Sequence, residues 1–565
     1  MLLDSHTKVP DENVWYSSLV KNKHASYLSQ KLSMLIHSDI RTAGIAMDSH
    51  IETAKNLGRM MLIFALGVPI AILLWIYFEQ PILLLTIIII PIVLIWPKIK
   101  LMVLISERKI KIGDEVAFFS IYAWVLQTIG GSLIDIISGI RGSKLLPHIE
   151  KEADLLSRDV GFFPENPLDV VNKRALEHPN QMLRNLFVGY VSIYKDGGDL
   201  VNYLEKTTED LFSQLKSRFH RYEEQAKSLA ILTNAIFSMM PIFLVAGMFI
   251  MTIDVLSSLT TLMFIMLPVA GVIIYMMADS VQPKFADNVK FNLLSVPIGA
   301  VGVIFGYFVL GQLWATMVLG VLFLALTNTL LTFTAVVEIK ATNTALGDFL
   351  RDITESRKIG NPISVAIHRL AKNRKYNHIF DQKISSIASQ LHFGTPLSKC
   401  IQHGNDKTLE TVKMRSWLGR MTFFMLGKME KVGNVSAQSL EILTGYMIKI
   451  KNERQGLVAA LQIFWILAYV NPFIMVYISK MLKGWFENNS MVEGVGTNYL
   501  PFEVLSASPE FLNLINITIA LSSVILGILM NKIVNFGMTH TSNLAIISAI
   551  TFVAIWAEPY YPTSL

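Results

Sequence analysis

Apolar residues along this 565-residue chain gather into nine runs, at 60–78, 82–96, 229–253, 259–278, 291–310, 313–337, 457–478, 511–530 and 543–557. None of the runs contains Asp, Glu, Lys, Arg or His. Crossing a hydrocarbon core of about 30 Å takes roughly 20 apolar residues in a helix. Most of the runs meet that length, and 82–96 and 543–557 are the shortest. Between the runs the pattern changes to a 3.6-residue period, with breaks at Gly130-Gly131, Asn166-Pro167, His178-Pro179, Asn361-Pro362 and Thr395-Pro396. These signals predict an all-α, polytopic membrane protein with about nine transmembrane helices and two cytoplasmic helical bundles.

The segment 185–253 joins the two kinds of pattern. Gly197 and Gly198 end one amphipathic helix, and Asp199 is placed to cap the next. Leu200, Tyr203, Leu204, Leu211, Leu215, Phe219 and Tyr222 then recur at three- and four-residue spacing, with Glu205, Lys206, Glu209, Asp210, Lys216, Arg218 and Arg221 on the other face. The charged part, 199–228, is roughly 45 Å long as a helix before the apolar run begins. Either a stiff lever reaching from a soluble domain into the bilayer or a bundle helix that abuts a span accounts for these residues.

Charge sets the orientation. With the N-terminus inside, the inner segments carry 7, 18, 2, 19 and 1 Lys and Arg, leaving only Lys480 and Lys483 of the 49 outside. The expected plan is a cytoplasmic arm (1–59), a two-span hairpin (60–96), a cytoplasmic helical domain (97–228) and four spans (229–337). A second cytoplasmic domain (338–456) and three last spans (457–565) follow, with an extracytoplasmic loop at 479–510. The charge count thus predicts a cytoplasmic N-terminus and an extracytoplasmic C-terminus, and the arm, with no apolar run of signal-peptide type, is expected to start as a soluble segment.

The two soluble segments resemble each other at an offset near 230 residues. GGSLIDII (130–137) parallels GNPISVAI (360–367), YKDGGDLVNYLE (194–205) parallels MEKVGNVSAQSLE (429–441), and EEQAKSLAIL (223–232) parallels NERQGLVAAL (452–461). Each copy carries a Gly-small-Leu or related helix start (Gly131-Ser132-Leu133), an x-Pro-Leu start (Pro167, Pro396) and a Gly-Gly or Gly-Asn break (Gly197 and Gly198; Gly433). A long helix with a Glu on it (Glu205, Glu441) then runs into a span. This ordered set resembles the type II secretion system F domain family, the integral-membrane platform proteins of type IV pilus-like machines. The number of spans is similar to the archaeal FlaJ-type branch, and an insertion at 161–166 departs from the pattern in the first copy.

The resemblance implies a non-enzymatic scaffold at the base of a filament. It would bind a hexameric secretion ATPase on the cytoplasmic side and act on pilin or archaellin subunits, in contact with membrane lipids. Monomer and homodimer both remain open, and no cofactor or nucleic-acid partner is expected. The residues agree in what they lack: no G-x-x-x-x-G-K-[ST], no H-E-x-x-H and no G-x-S-x-G occurs, and GIRGSK (139–144) has the wrong spacing for a phosphate loop. The lone Cys400 allows no intramolecular disulfide. A polytopic transporter is the rival reading, and spans without ionisable residues weigh against it.

Segment 97–228 balances 18 basic against 18 acidic residues, whereas 338–456 carries 19 against 10. Positive-inside bias accounts for part of this surplus. As a partner surface it would comprise Arg351, Arg357, Lys358, Arg369, Lys372, Arg374, Lys375, Lys413, Arg415 and Arg420.

Overall fold

The computed structural model describes residues 89–162, 166–248, 253–282, 287, 291–401, 412–432, 436–489, 509–536 and 541–558. All regular elements among them are helices, and an isolated bridge pairs Ile401 with Val412. The chain divides into two compact units, Met1–Leu211 and Phe212–Leu565. The expected arm 1–59 and the span at 60–78 lie outside the described residues, as do 82–88 of the run 82–96, whose remainder opens the first helix.

The first unit holds α1 (Ile89–Thr128), α2 (Leu133–Ile140), α3 (Pro147–Phe162), α4 (Pro167–Leu176), α5 (Gln181–Lys195) and the start of α6 (Leu200–Met248). Each boundary has a local cause. α1 stops at Gly130, whose φ of +91° only glycine adopts without strain. There Gly130 N donates to Gln127 O and Gly131 N to Leu126 O, satisfying carbonyls the helix leaves open. Ser132 and Asp135 form a reciprocal capping box at the start of α2. Glu150 on α3 reaches back to accept hydrogen bonds from Gly142 N and Lys144 N at 2.6 and 2.9 Å, which fixes the α2–α3 turn. Asn180 caps α5 and donates to Lys109 O on α1 at 2.7 Å.

The interior of this unit is aromatic and aliphatic, with Phe119 and Tyr122 of α1 fully buried and Phe119 meeting Phe187 of α5 edge-on at 5.9 Å. Inside it lies an ion pair. Arg108 on α1 donates to both oxygens of Glu152 on α3, at 2.7 and 2.6 Å, and His178 Nε2 stands 3.7 Å away. Burial opposes the charge on Glu152, but His178 and the Arg108 guanidinium outweigh it and hold the carboxyl down at about 2, below the ordinary 4.5.

The second unit holds the rest of α6, then α7 (Ile253–Val281), α8 (Ser295–Phe305) with a π-helical turn at Gly306–Leu310, α9 (Leu313–Lys358), α10 (Ile363–Asn373) and α11 (His378–His392). It continues with α12 (Leu397–Cys400), α13 (Trp417–Val432), α14 (Ala437–Asn489), α15 (Pro509–Asn535) and α16 (Ser542–Trp556). Among the described residues four helical stretches are long and apolar enough to cross a membrane: Phe264–Val281, Leu313–Lys358, Ala437–Met481 and Asn513–Asn535. They carry the runs predicted at 259–278, 313–337, 457–478 and 511–530. The runs at 291–310 and 543–557 form the shorter apolar helices Ser295–Leu310 and Ser542–Trp556. The run at 229–253 continues α6 to Met248, beyond which 249–252 lie outside the described residues.

α8 packs against α9 through glycines. A Cβ at Gly302 would stand 2.8 Å from Leu319 O, and one at Gly306 would stand 2.8 Å from Thr316 Cα. The Gly299, Gly302 and Gly306 series therefore serves close approach within the chain. Away from the apolar helices, the end of α9, α10, α11 and α13 enclose Phe349, whose ring meets Tyr376, Phe380 and Phe423 at 5.9, 5.3 and 5.6 Å. α9 ends as α1 does: Gly360 has φ +95°, Gly360 N donates to Arg357 O and Asn361 N to Ser356 O. Asp381 on α11 accepts from Tyr376 N, and Ser416 caps α13 while donating to Asn343 on α9.

Replacing Glu152 with Ala leaves a buried guanidinium without its carboxylate, which costs about 3–5 kcal/mol for a broken buried pair. Thermal unfolding of the detergent-solubilised full chain should show a large drop. Because the folded carboxyl titrates below its ordinary value, this contribution is complete above about pH 4.5 and is lost as pH falls toward 2. The advantage of the wild type over the Glu152→Ala variant should shrink across that window.

Candidate functional site

The long helices α6 and α14, of 49 and 53 residues, each run from polar into apolar sequence. α6 starts where the sequence places it. Gly197 has φ +69°, and Asp199 Oδ1 accepts from Val201 N and Asn202 N at 2.9 and 3.1 Å. Leu204, Leu211, Leu215, Phe219 and Tyr222 are buried, with Leu200 and Tyr203 half-buried, while Glu205, Lys206, Glu209, Asp210, Lys216 and Arg221 are exposed. α14 starts at a Ser436 cap, whose Oγ accepts from Ser439 N, and runs without interruption through Gly445, Gly456 and Pro472.

Within the second unit the two helices lie side by side. Phe212 meets Tyr446 edge-on at 5.3 Å, Lys216 pairs with Glu453 at 2.9 Å, and Tyr222, Ala226 and Leu229 share an apolar core with Leu457 and Leu461. Neither periodicity nor spacing points to this pairing, because it joins residues more than 200 positions apart.

The ends of the apolar helices converge on one level. Tyr222 Oη donates to Ile533 O at 2.8 Å, Lys532 Nζ pairs with Asp279 at 2.5 Å and lies 5.1 Å from the Tyr275 ring centre, and Gln282 Nε2 reaches Lys532 O. The ammonium of Lys532 is buried, so Asp279 and the π face of Tyr275 supply what water would otherwise provide.

The cations singled out from sequence divide by what they touch. Arg351, Arg369, Lys372, Lys375 and Lys413 are exposed, and their side chains make no hydrogen bond or ion pair among the described residues. Lys358 bridges Glu355 and Glu441 at 3.0 and 2.8 Å, which raises its pKa through hydrogen bonds to Glu441 and Glu355. The carboxylate of Glu441 is thus engaged by the end of α9. Glu205 is exposed. Arg374 pairs with Asp352, Arg357 donates to Asn361 O, and Arg415 lies beside Glu338. Arg420 is buried, at 7% exposure, so it is turned away from any partner surface and belongs to the interior of α13.

Among the motif positions, Gly131 is tight, since a Cβ there would lie 3.0 Å from Leu126 O. Pro167 occupies the first turn of α4 behind the Asn166 cap, Pro396 precedes α12, and Gly433 lies outside the described residues. The left-handed positions Gly130 and Gly360 carry the helix ends, although Gly131 is the motif residue. A glycine pair leaves open which member takes positive φ. No grouping of His, Cys, Asp or Glu suited to a metal occurs among the described residues.

No known protein family, curated protein or solved structure matches this chain at a significant level.

Gly197→Ala should destabilise the start of α6 by roughly 1–2 kcal/mol, the cost of a left-handed conformation for an L-residue. Gly198→Ala meets a different obstacle, a Cβ at 2.9 Å from Ile193 Cγ2, whose side chain can shift. Thermal midpoints measured on the two variants should therefore fall further for Gly197→Ala.

Proposed function

We propose that this chain is a non-enzymatic membrane platform of the type IV pilus-like class. In this reading two homologous helical bundles on the cytoplasmic side receive a hexameric secretion ATPase, and long helices pass its motion to pilin or archaellin subunits in the membrane. The observation that carries it is the recurrence of one construction in both units. α2 and α10 begin 230 residues apart, α3 and α11 begin 231 apart, and α4 and α12 begin 230 apart.

The connections recur along with the helices. The glycines that end α1 and α9 stand 230 residues apart with the same pair of closing hydrogen bonds. Glu150 and Asp381, 231 apart, both hold the preceding turn. The caps of α5 and α13, Asn180 and Ser416, both tie back to a long helix of their own unit, α1 and α9. Helix starts at a common offset could arise by chance in a helical protein, but the same closing bonds at the glycine ends of α1 and α9 and a carboxylate holding the turn before α3 and α11 favour a duplicated domain. That is the feature on which the likeness to the type II secretion system F domain rests.

Orientation follows from the charge count, with the N-terminus and both bundles in the cytoplasm and the C-terminus outside. The level formed by Tyr222, Asp279 and Lys532 suits the inner membrane boundary. Force would enter through the bundles and travel along α6 and α14, whose packing through Phe212, Tyr446, Lys216 and Glu453 makes them a single stiff pair. Arg351, Arg369, Lys372, Lys375 and Lys413 are the cations available to an acidic ATPase surface, whereas Lys358 and Arg374 are already held within the chain.

The test is a pull-down of the purified full-length protein with the secretion ATPase encoded nearest to its gene, with the ATPase rate recorded in parallel. Binding that changes the rate supports the platform. Arg369→Glu, Lys372→Glu and Lys375→Glu combined should weaken binding by roughly tenfold or more at low ionic strength, with the difference shrinking as salt is added. Unchanged binding would remove that surface from the interface, and solute uptake into vesicles without ATPase binding would favour a transporter.

A further inference from the structure

A cavity of about 520 Å³ opens in the second unit where four helices change between apolar and polar sequence. α9 lends it Val336 and Lys340, and α14 lends it Lys451, Arg454 and Val458. The end of α15, the start of α16 and Trp417 at the start of α13 complete the wall. Each apolar helix in this wall contributes residues next to the border of its apolar run, which lies at 337 in α9, 457 in α14, 530 in α15 and 543 in α16. Val336 and Lys340 are one turn apart on α9, as are Arg454 and Val458 on α14, so apolar and cationic lining adjoin along the helix axes.

Among the described residues the lining includes three cations and no carboxylate. Their existing partners account for only part of this charge. Lys451 Nζ donates to the carbonyl of Thr344 at 3.3 Å, a neutral partner. Arg454 pairs with Asp287, whose carboxylate also accepts from Trp417 N. Glu338, on the turn before Lys340, is taken by Lys383 at 3.0 Å and lies beside Arg415. Lys340 is exposed, and its ammonium makes no hydrogen bond or ion pair among the described residues. An occupant must therefore be anionic at one end and apolar at the other. The volume far exceeds that of a free phosphate ion and falls in the range of small-molecule pockets.

We propose that this crevice holds the phosphate-bearing headgroup of one anionic membrane lipid, with the phosphate against Lys340 and Lys451 and the start of its chains along Val336 and Val458. Lys451 and Arg454 precede the border of α14 by one or two turns, the depth at which a headgroup meets a helix leaving the bilayer. The inference rests on the membrane-spanning reading alone. It needs no filament and no ATPase, so it is tested without either, and its failure would leave the platform reading untouched.

The experiment uses the full-length protein in neutral detergent, with retained lipid counted by native mass spectrometry during titration with phosphatidylglycerol or phosphatidylcholine. One phosphatidylglycerol should be held in preference to phosphatidylcholine, and excess inorganic phosphate should not displace it. The double variant Lys340→Gln, Lys451→Gln should lose roughly tenfold or more in affinity. Ala459→Trp, which narrows the crevice without altering charge, should also lower retention. The control Lys372→Gln, Lys375→Gln removes the same charge from the exposed surface of the bundle and should leave it unchanged. Equal retention of the two lipids would overturn the proposal, as would displacement by inorganic phosphate or an equal loss in the control. Retention unaffected by Ala459→Trp would place the lipid elsewhere and overturn it too.

Discussion

Backbone hydrogen bonding is the constraint on which the rest of this molecule depends. In hydrocarbon no water can satisfy a peptide group, so an apolar run that crosses must do so as a helix whose bonds close within itself. A helix already formed is cheapest to extend, because nucleation has been met and each added residue gains a bond for one pair of torsions. Among the described residues α6, α9 and α14 each pass between polar and apolar sequence in this way, and none of the three has an end at the border. The long elements are thus a consequence of where the spans lie. The short helices pack within their own unit against a long one, α1 in the first and α9 in the second.

The same constraint explains where polar groups are tolerated inside. In the first unit Glu152 and His178 are buried beside the largely covered Arg108, and the guanidinium gives both carboxylate oxygens a hydrogen bond. Lys532 is buried at a helix end, where a carboxylate and an aromatic face are both in reach. Away from such ends the apolar helices also meet through neutral groups, as in Ser238 donating to Asn471 Oδ1. Charge appears where a counter-charge can be supplied, and amide and hydroxyl groups serve where it cannot.

Much of this arrangement was legible in the sequence. Runs without charge gave the apolar helices, Gly197-Gly198 before Asp199 gave the start of α6, and the three- and four-residue spacing from Leu204 to Tyr222 gave its buried face. Local rules suffice there, since each depends on residues within a turn or two of one another. What could not be read depends on contacts between distant segments. Lys358 reads as an available surface cation until Glu441, 83 positions away, is found beside it. Arg420 reads as equally exposed, because a single arginine within an amphipathic helix does not reveal which face is covered. The cavity near Lys340 and Lys451 is likewise invisible in one dimension, since its walls come from five helices.

The continuity of α14 has one more consequence. In a helix of 53 residues with no break, each residue fixes the direction of every other, at about 100° per position. The face that Glu441 presents to Lys358 and the face that Trp465 turns into the apolar core are therefore locked in phase. Length can change along such an element only in steps that preserve the angle, three or four residues at a time. A single inserted residue between Gly445 and Gly456 would leave both ends intact as helix, yet turn one against the other by more than a quarter of a circle. What α14 carries from one region to the other is accordingly an orientation as well as a distance.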